Sequence, residues 1–265
     1  MDDNDYEILP FPAERRTVMD AGRLAGRRHI IHGLIEVDVT RARELLRLSK
    51  TGGSGLSFTA FIVACLSRAI DSARGVQAYR DWRGRLVIFQ DVDVVTMIEP
   101  EKGAVAIPHI VRAANRKSVR QISDEIRSVQ GRPASSPQRR GLAAMGQKAP
   151  WFVRRLVYWG LRKNPHRFRQ VAGTAIVTSV GMFGQGGGWG LGFLPMHTLG
   201  LTVGGIARKP GVNDGMIAVR EFLNLTISLD HDIVDGAPAA RFVQTLRELI
   251  EKAPVLDEDR SIPDV

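Results

Sequence analysis

Apolar and polar positions along this chain follow two rhythms. Residues 29–40, HIIHGLIEVDVT, alternate with β-branched residues and predict a strand. RARELLRLSK (41–50) switches to helical spacing, with Thr40 placed to cap it and TGGSG (51–55) to close it. FTAFIVACLSRAI (58–70), opened by Ser57 or Thr59, predicts a buried helix. RLVIFQDVDVVTMI (85–98) and AVAIPHIV (104–111) predict two strands joined by EPEKG, and a charged helix follows at about 118–130.

The second half is richer in strands. GTAIVTSVG (173–181), TLGLTVGGI (198–206) and MIAVREFLNLTISL (216–229) predict strands. Between the first two, MFGQGGGWGLGFLP carries six glycines from 184 to 192 and predicts a flexible turn. APAARFVQTLRELIEK (237–252) sets Phe242, Val243, Leu246, Leu249 and Ile250 on one helical face. RTVMDAGRLAGRR (16–28) predicts a short basic helix. The pattern is α/β (α+β), a mixed β-sheet packed with helices. Three segments follow: a flexible N-terminal arm (1–15), a main domain (16–252) and a polar C-terminal tail (253–265).

Composition narrows the function class. With 44% hydrophobic residues in 265, the chain can bury a sizeable core. A single cysteine, Cys65, excludes a disulfide framework and a zinc cluster, and its apolar setting predicts packing rather than a thiol nucleophile. MDDNDYEILPFPAERR lacks the basic and apolar regions of a signal peptide, and no apolar run approaches the roughly 20 residues of a membrane span. These features predict a cytoplasmic protein. The net charge of +9 is concentrated: residues 139–169 hold nine Lys/Arg and no Asp or Glu. The remainder is near neutral, so no nucleic-acid partner is expected.

Two stretches carry candidate chemistry. SLDHDIVDGAP (228–238) places His231, Asp235 and Gly236 where a strand meets a helix. An imidazole there can accept a proton near neutral pH, and a polar loop tip that caps the next helix is the plainer reading. Asp230 or Asp235 can orient that loop or raise the pKa of the imidazole. Thr178 and Ser179 end a strand just before Gly181, where a hydroxyl can donate to a developing oxyanion or serve ordinary turn chemistry.

Together these stretches resemble the catalytic domain of the 2-oxoacid dehydrogenase acyltransferases (dihydrolipoamide acyltransferases), which share the chloramphenicol acetyltransferase-like fold. The family signature Asp-His-Arg-x-x-Asp-Gly-Ala reads DHDIVDGA at 230–237, and its GTFTISNLGMFG reads GTAIVTSVGMFG at 173–184. LSFTAFIVACLSRAI (56–70) and GLIEVDVTRARELL (33–46) match in order and spacing, so the resemblance covers roughly residues 16–252. It implies a coenzyme A-dependent acyltransferase with His231 as general base and Thr178 as oxyanion donor. It also implies that Asp235 fixes the loop through an N-terminal arginine, with Arg23 the candidate. Ser179, Gly181 and Gly236 would lie against substrate, and Asp230 would be structural. Members are trimers whose active site lies between subunits. Acyl-coenzyme A is implied as co-substrate, with lipoamide a possible acceptor and no tightly bound cofactor.

The chain departs from the family in four places. Only about fifteen residues precede the resemblance, so a lipoyl protein would have to serve in trans, or the enzyme would work outside such a complex. Asp232 replaces the basic residue after the histidine. His197, in LPMHT, falls at a position where it either lines the acceptor channel or is a satisfied structural histidine. WFVRRLVYWGLRKNPHRF (151–168), in the basic insert 139–169, spaces aromatic and basic residues helically. It can lie on a membrane surface, contact coenzyme A phosphates, or pack as an ordinary helix. A non-catalytic trimeric scaffold that binds partners through this segment is the alternative outside the enzyme class.

Overall fold

The computed structural model describes residues 7–26, 28–51, 55–99, 107–131, 150–180, 186–213 and 215–258. In chain order the elements begin with α1 (Ala13–Ala25), β1 (Ile30–Asp38), α2 (Thr40–Thr51) and α3 (Phe58–Ser72). Next come β2 (Tyr79–Arg80), β3 (Leu86–Val87), β4 (Val94–Ile98), β5 (Ile107–Val111) and α4 (Val119–Gly131). After the undescribed residues come α5 (Trp151–Lys163), α6 (Pro165–Ala172) and β6 (Ala175–Ser179). The chain then forms β7 (Leu199–Asn213), β8 (Met216–Asp230), α7 (Gly236–Lys252) and α8 (Pro254–Asp257).

Six strands form one mixed sheet in the order β1-β8-β7-β6-β4-β5, and β2-β3 form a small separate pair. β7 runs parallel to β6 and β6 parallel to β4, while the remaining neighbours are antiparallel. Strand alternation splits the sheet into unlike faces. Leu223, Leu225, Ile227 and Leu229 of β8 join Leu199, Leu201 and Val203 of β7 in the main core with α3 and α7. The opposite face of β8 is polar yet buried: Asn224, Thr226, Ser228 and Asp230 are all almost inaccessible. In register across the sheet, Thr226 lies beside Thr202 and Thr202 beside Thr178. A row of hydroxyls therefore crosses three strands.

α3 is buried nearly all round, as its sequence predicts, and Phe61 and Ile62 are among its fully buried side chains. α7 turns Phe242, Leu246 and Ile250 into the same core. The cap of α2 differs from expectation. Asp38 Oδ1 accepts from the Thr40 backbone N–H at 2.8 Å and from its hydroxyl at 2.6 Å, while Thr40 Oγ1 accepts from Glu221 N–H at 2.9 Å. Thr40 thus ties the helix start to β8, and the carboxylate two residues earlier takes the capping role. Burial works against the Asp38 charge, but the Thr40 and Arg220 bonds outweigh it and hold its pKa below the usual value.

The terminal expectations need revision. α1 begins at Ala13, inside the stretch read as an arm. The tail read as polar and mobile from residue 253 starts as α8, whose Val255 and Leu256 pack into the main core. Their sequence spacing is too short to show periodicity, and the core contact decides the conformation. The described part of the basic insert forms two helices, broken where Asn164 accepts from Arg167 N–H and Pro165 opens the second. Two of its cations are structural: Arg154 bonds Asp20 of α1 at 2.7 Å, and Arg169 bonds the buried Asp93 at 2.8 Å.

Because Phe242 is fully buried between α7 and the sheet, Phe242→Ala should cost about 3–5 kcal/mol. The check is a urea unfolding curve with unchanged slope and a lower midpoint.

Candidate active site

The histidine motif is built on the end of β8. Asp230 is the last strand residue, and its backbone N–H reaches Thr198 O at 2.9 Å. The chain turns at once: Ile233 N–H and Val234 N–H both return to Asp230 O at 3.0 Å. His231 N–H donates to His29 O at 2.8 Å, which clamps the turn to the residue just before β1. Val234 is buried in the core and fixes the far side of the loop. The His231 side chain is exposed, and among the described residues its imidazole has no hydrogen-bond partner. It is held by its backbone and left open at its ring.

Beneath it lies a buried ion pair. Arg28 Nε donates to Asp230 Oδ2 at 2.9 Å and Nη2 donates to the same oxygen at 2.5 Å, while Nη1 donates to His197 O at 2.7 Å. Both side chains are about nine-tenths buried. One guanidinium thus joins the end of β8 to the segment that leads into β7. A planar, permanently charged fork suits this work, which a lysine point charge does not.

This geometry corrects the expected brace. Arg23 lies on α1, 69% exposed, with its guanidinium 3.5 Å from Asp20 one turn earlier. The arginine that reaches the histidine motif is Arg28, and its partner is Asp230 rather than Asp235. The antiparallel register that sets Ile30 opposite Asp230 brings Arg28 to that carboxylate. Asp235 sits at the N-cap of α7 in extended conformation without a side-chain cap bond, and it is exposed. Gly236 opens α7 with empty space where a Cβ would stand, so nothing among the described residues requires a glycine there.

His197 is structural, not channel-lining. Its Nε2–H donates to Ala172 O at 2.7 Å, and its ring meets Phe168 edge-on with centroids 5.2 Å apart. Burial pushes its pKa down to about 4. The folded protein therefore holds it neutral where an unfolded chain would bind a proton, and acidification through that range works against the fold.

Asp232 is paired with a histidine from the other end of the chain. Its Oδ1 lies 2.8 Å from His29 Nδ1. That hydrogen bond raises the His29 pKa and lowers that of Asp232. A second pair missed by motif reading is His32 Nδ1 with Ser228 Oγ, 2.8 Å apart on the polar face.

Thr178 stands elsewhere. It lines a cleft with Thr202, Ser228, Met97, Gly192 and Phe193, while Ser179 is exposed at the end of β6. The glycine loop expected to be a flexible turn is laid closely on β7 in its described part. A Cβ at Gly192 would stand 2.2 Å from Thr202 Oγ1 and one at Gly204 2.2 Å from Gly188 O. Gly181 lies outside the described residues. Thr178 is level with Thr226, two strands away from β8 and five residues short of His231. Strand spacing therefore separates the two by roughly 15–20 Å. No single tetrahedral centre spans that gap, so one copy of the chain does not bring His231 and Thr178 to the same atom.

Cys65 is buried against Leu249 O at 3.6 Å, and burial pushes its thiol pKa far up, so it is core packing. A second cleft opens beside the histidine loop, lined by Arg28, Tyr79, Arg80, Arg162, Lys163 and Asp232. Among the described residues Arg80, Arg162 and Lys163 have no ion-pair partner, whereas the acids there are already engaged.

Residues 161–256 match the model of the 2-oxoacid dehydrogenases acyltransferase (catalytic domain). The lipoamide acyltransferase component of the branched-chain alpha-keto acid dehydrogenase complex of Bacillus subtilis (strain 168) is 26% identical over 241 residues. That alignment covers 86% of this chain and 47% of the relative, so the chain spans under half of that protein's length. Among solved structures, a probable dihydrolipoamide acetyltransferase from Listeria monocytogenes 4b F2365 superposes with TM-score 0.70 at 21% identity, over 97% of this chain and 99% of the other. A chloramphenicol acetyltransferase superposes with TM-score 0.53 at 12% identity, over 92% and 98% of the two chains. The family resemblance read from the four motifs is borne out, and the fold is that of these acyltransferase cores.

Two results should follow from the brace. Arg28→Ala strands the buried Asp230 carboxylate and should cost about 3–5 kcal/mol, while Arg28→Met with Asp230→Leu should recover much of that loss in denaturant unfolding. The His29–Asp232 pair should show in an NMR titration: the His29 midpoint lies above the usual histidine value, and Asp232→Asn brings it down.

Proposed function

We propose that this chain is a coenzyme A-dependent acyltransferase in which His231 is the general base. The observation that carries this reading is an imidazole left open to solvent on a loop that is braced by a buried ion pair and four backbone hydrogen bonds. An ordinary helix-capping turn needs no such support. In the proposed reaction an acceptor thiol, hydroxyl or amine gives its proton to His231 and attacks the thioester carbonyl. The tetrahedral oxyanion accepts a hydrogen bond from Thr178. Collapse breaks the carbon–sulfur bond, and the imidazolium returns its proton to the departing coenzyme A thiolate.

The separation of His231 from Thr178 supports a homotrimer, or a multiple of trimers, in which each site takes its histidine from one copy and its threonine from the next. The far half of the β7–β8 hairpin supports the same assembly, because it holds Val212, Ile217 and Val219 out in solvent, where a neighbour would cover them. Arg80, Arg162 and Lys163 supply the positive charge that coenzyme A phosphates need beside the histidine loop. Dihydrolipoamide, free or on a lipoyl domain supplied in trans, is the acceptor that the relatives' names favour. The cytoplasm is the location that goes with this reading.

The test is thiol release from acetyl- and longer acyl-coenzyme A with dihydrolipoamide, amines and alcohols as acceptors. Release should depend on acceptor and vanish in His231→Ala, and Thr178→Ala should lower kcat by roughly 10²–10³-fold. A folded assembly that turns over no donor–acceptor pair would point instead to a scaffold.

A further inference from the structure

Beyond that reading, α5 presents a surface that neither the core nor the proposed site uses. The helix is anchored on one side only, where Arg154 bonds Asp20 and Tyr158 is buried. At 100° per residue, Phe152, Leu156 and Trp159 project within about 60° of one another, roughly opposite that anchor. Their exposures, 58%, 66% and 57%, agree with the projection. Trp151 at the start of the helix is exposed as well. Arg155 flanks the stripe on one side. Among the described side chains of α1 and α5, the one acid is Asp20, and it is turned inward onto Arg154.

We infer that this face of α5 docks on an anionic lipid surface. The apolar stripe of Phe152, Leu156 and Trp159 would enter the headgroup boundary, and Arg155 would meet lipid phosphates. Charge and the apolar stripe together favour this occupant. A second copy of the same face, related by a two-fold axis, would set arginine against arginine across the contact, and contact with a different face of a three-fold neighbour is what the assembly size tests. A nucleic acid would satisfy the arginine but leave Phe152 and Leu156 against water. No described helix is long and apolar enough to cross a membrane, so contact would be at the surface.

The experiment is flotation of the full chain with phosphatidylcholine vesicles, with and without phosphatidylglycerol, at low and high salt. Binding should require the anionic lipid and weaken with salt. Phe152→Ser with Leu156→Ser should cut partitioning by about tenfold or more, and Arg155→Ser should reduce it further. These exposed substitutions should leave the assembly size and the turnover of a water-soluble donor unchanged. Absence of flotation, or equal flotation of the double variant, overturns the inference. A smaller assembly in the double variant also overturns it, because the stripe would then be a contact between copies.

Discussion

The Arg28–Asp230 pair is the constraint on which the candidate site depends. It joins three places far apart in sequence: the residues before β1, the end of β8 and the approach to β7. A buried carboxylate at the end of a strand would be costly by itself, and the fork of Arg28 offsets that cost while filling a third bond on His197 O. The following residue can then be exposed without being loose. The brace immobilises the backbone of the loop and leaves the His231 ring to whatever approaches it.

The sheet prepares the rest by keeping its two faces chemically different. Leucine, isoleucine and valine on one face hold α3 and α7, and their burial stabilises the whole. Threonine, serine and asparagine on the other face form a buried polar layer that the glycine loop can approach because residues such as Gly192 and Gly204 have no side chains. That layer carries Thr178 at one end of its row, while β8 carries His231 beyond the other. The same sheet therefore fixes both groups and keeps them apart.

Much of this was legible in the sequence because it rests on local signals. The alternation in 29–40 and 216–229, the apolar helix at 58–70 and the single-faced helix at 237–252 each became the expected element. The positions of His231 at a strand end and Thr178 near the end of another strand also followed from pattern. What escaped depends on pairing across about two hundred residues. Arg23 and Arg28 sit in one basic run, and only the register of β1 against β8 selects Arg28. That register also gives Asp232 to His29, although His231 is its sequence neighbour. His197 read from sequence as either channel-lining or structural, and contacts from the helix Pro165–Ala172, with Phe168 and Ala172, decide for the second. The glycine run read as mobile because its close neighbour, β7, cannot be seen from the run itself.

The central claim is that His231 and Thr178 act on one thioester from different copies of the chain. Its most direct test is to mix two inactive variants, His231→Ala and Thr178→Ala, by unfolding and refolding them together and then measuring acyl-coenzyme A turnover. The account predicts that each variant alone stays nearly inactive while the mixed assemblies regain a substantial part of wild-type activity, because some sites then receive both intact groups. Mixed assemblies no more active than the separate variants would contradict it.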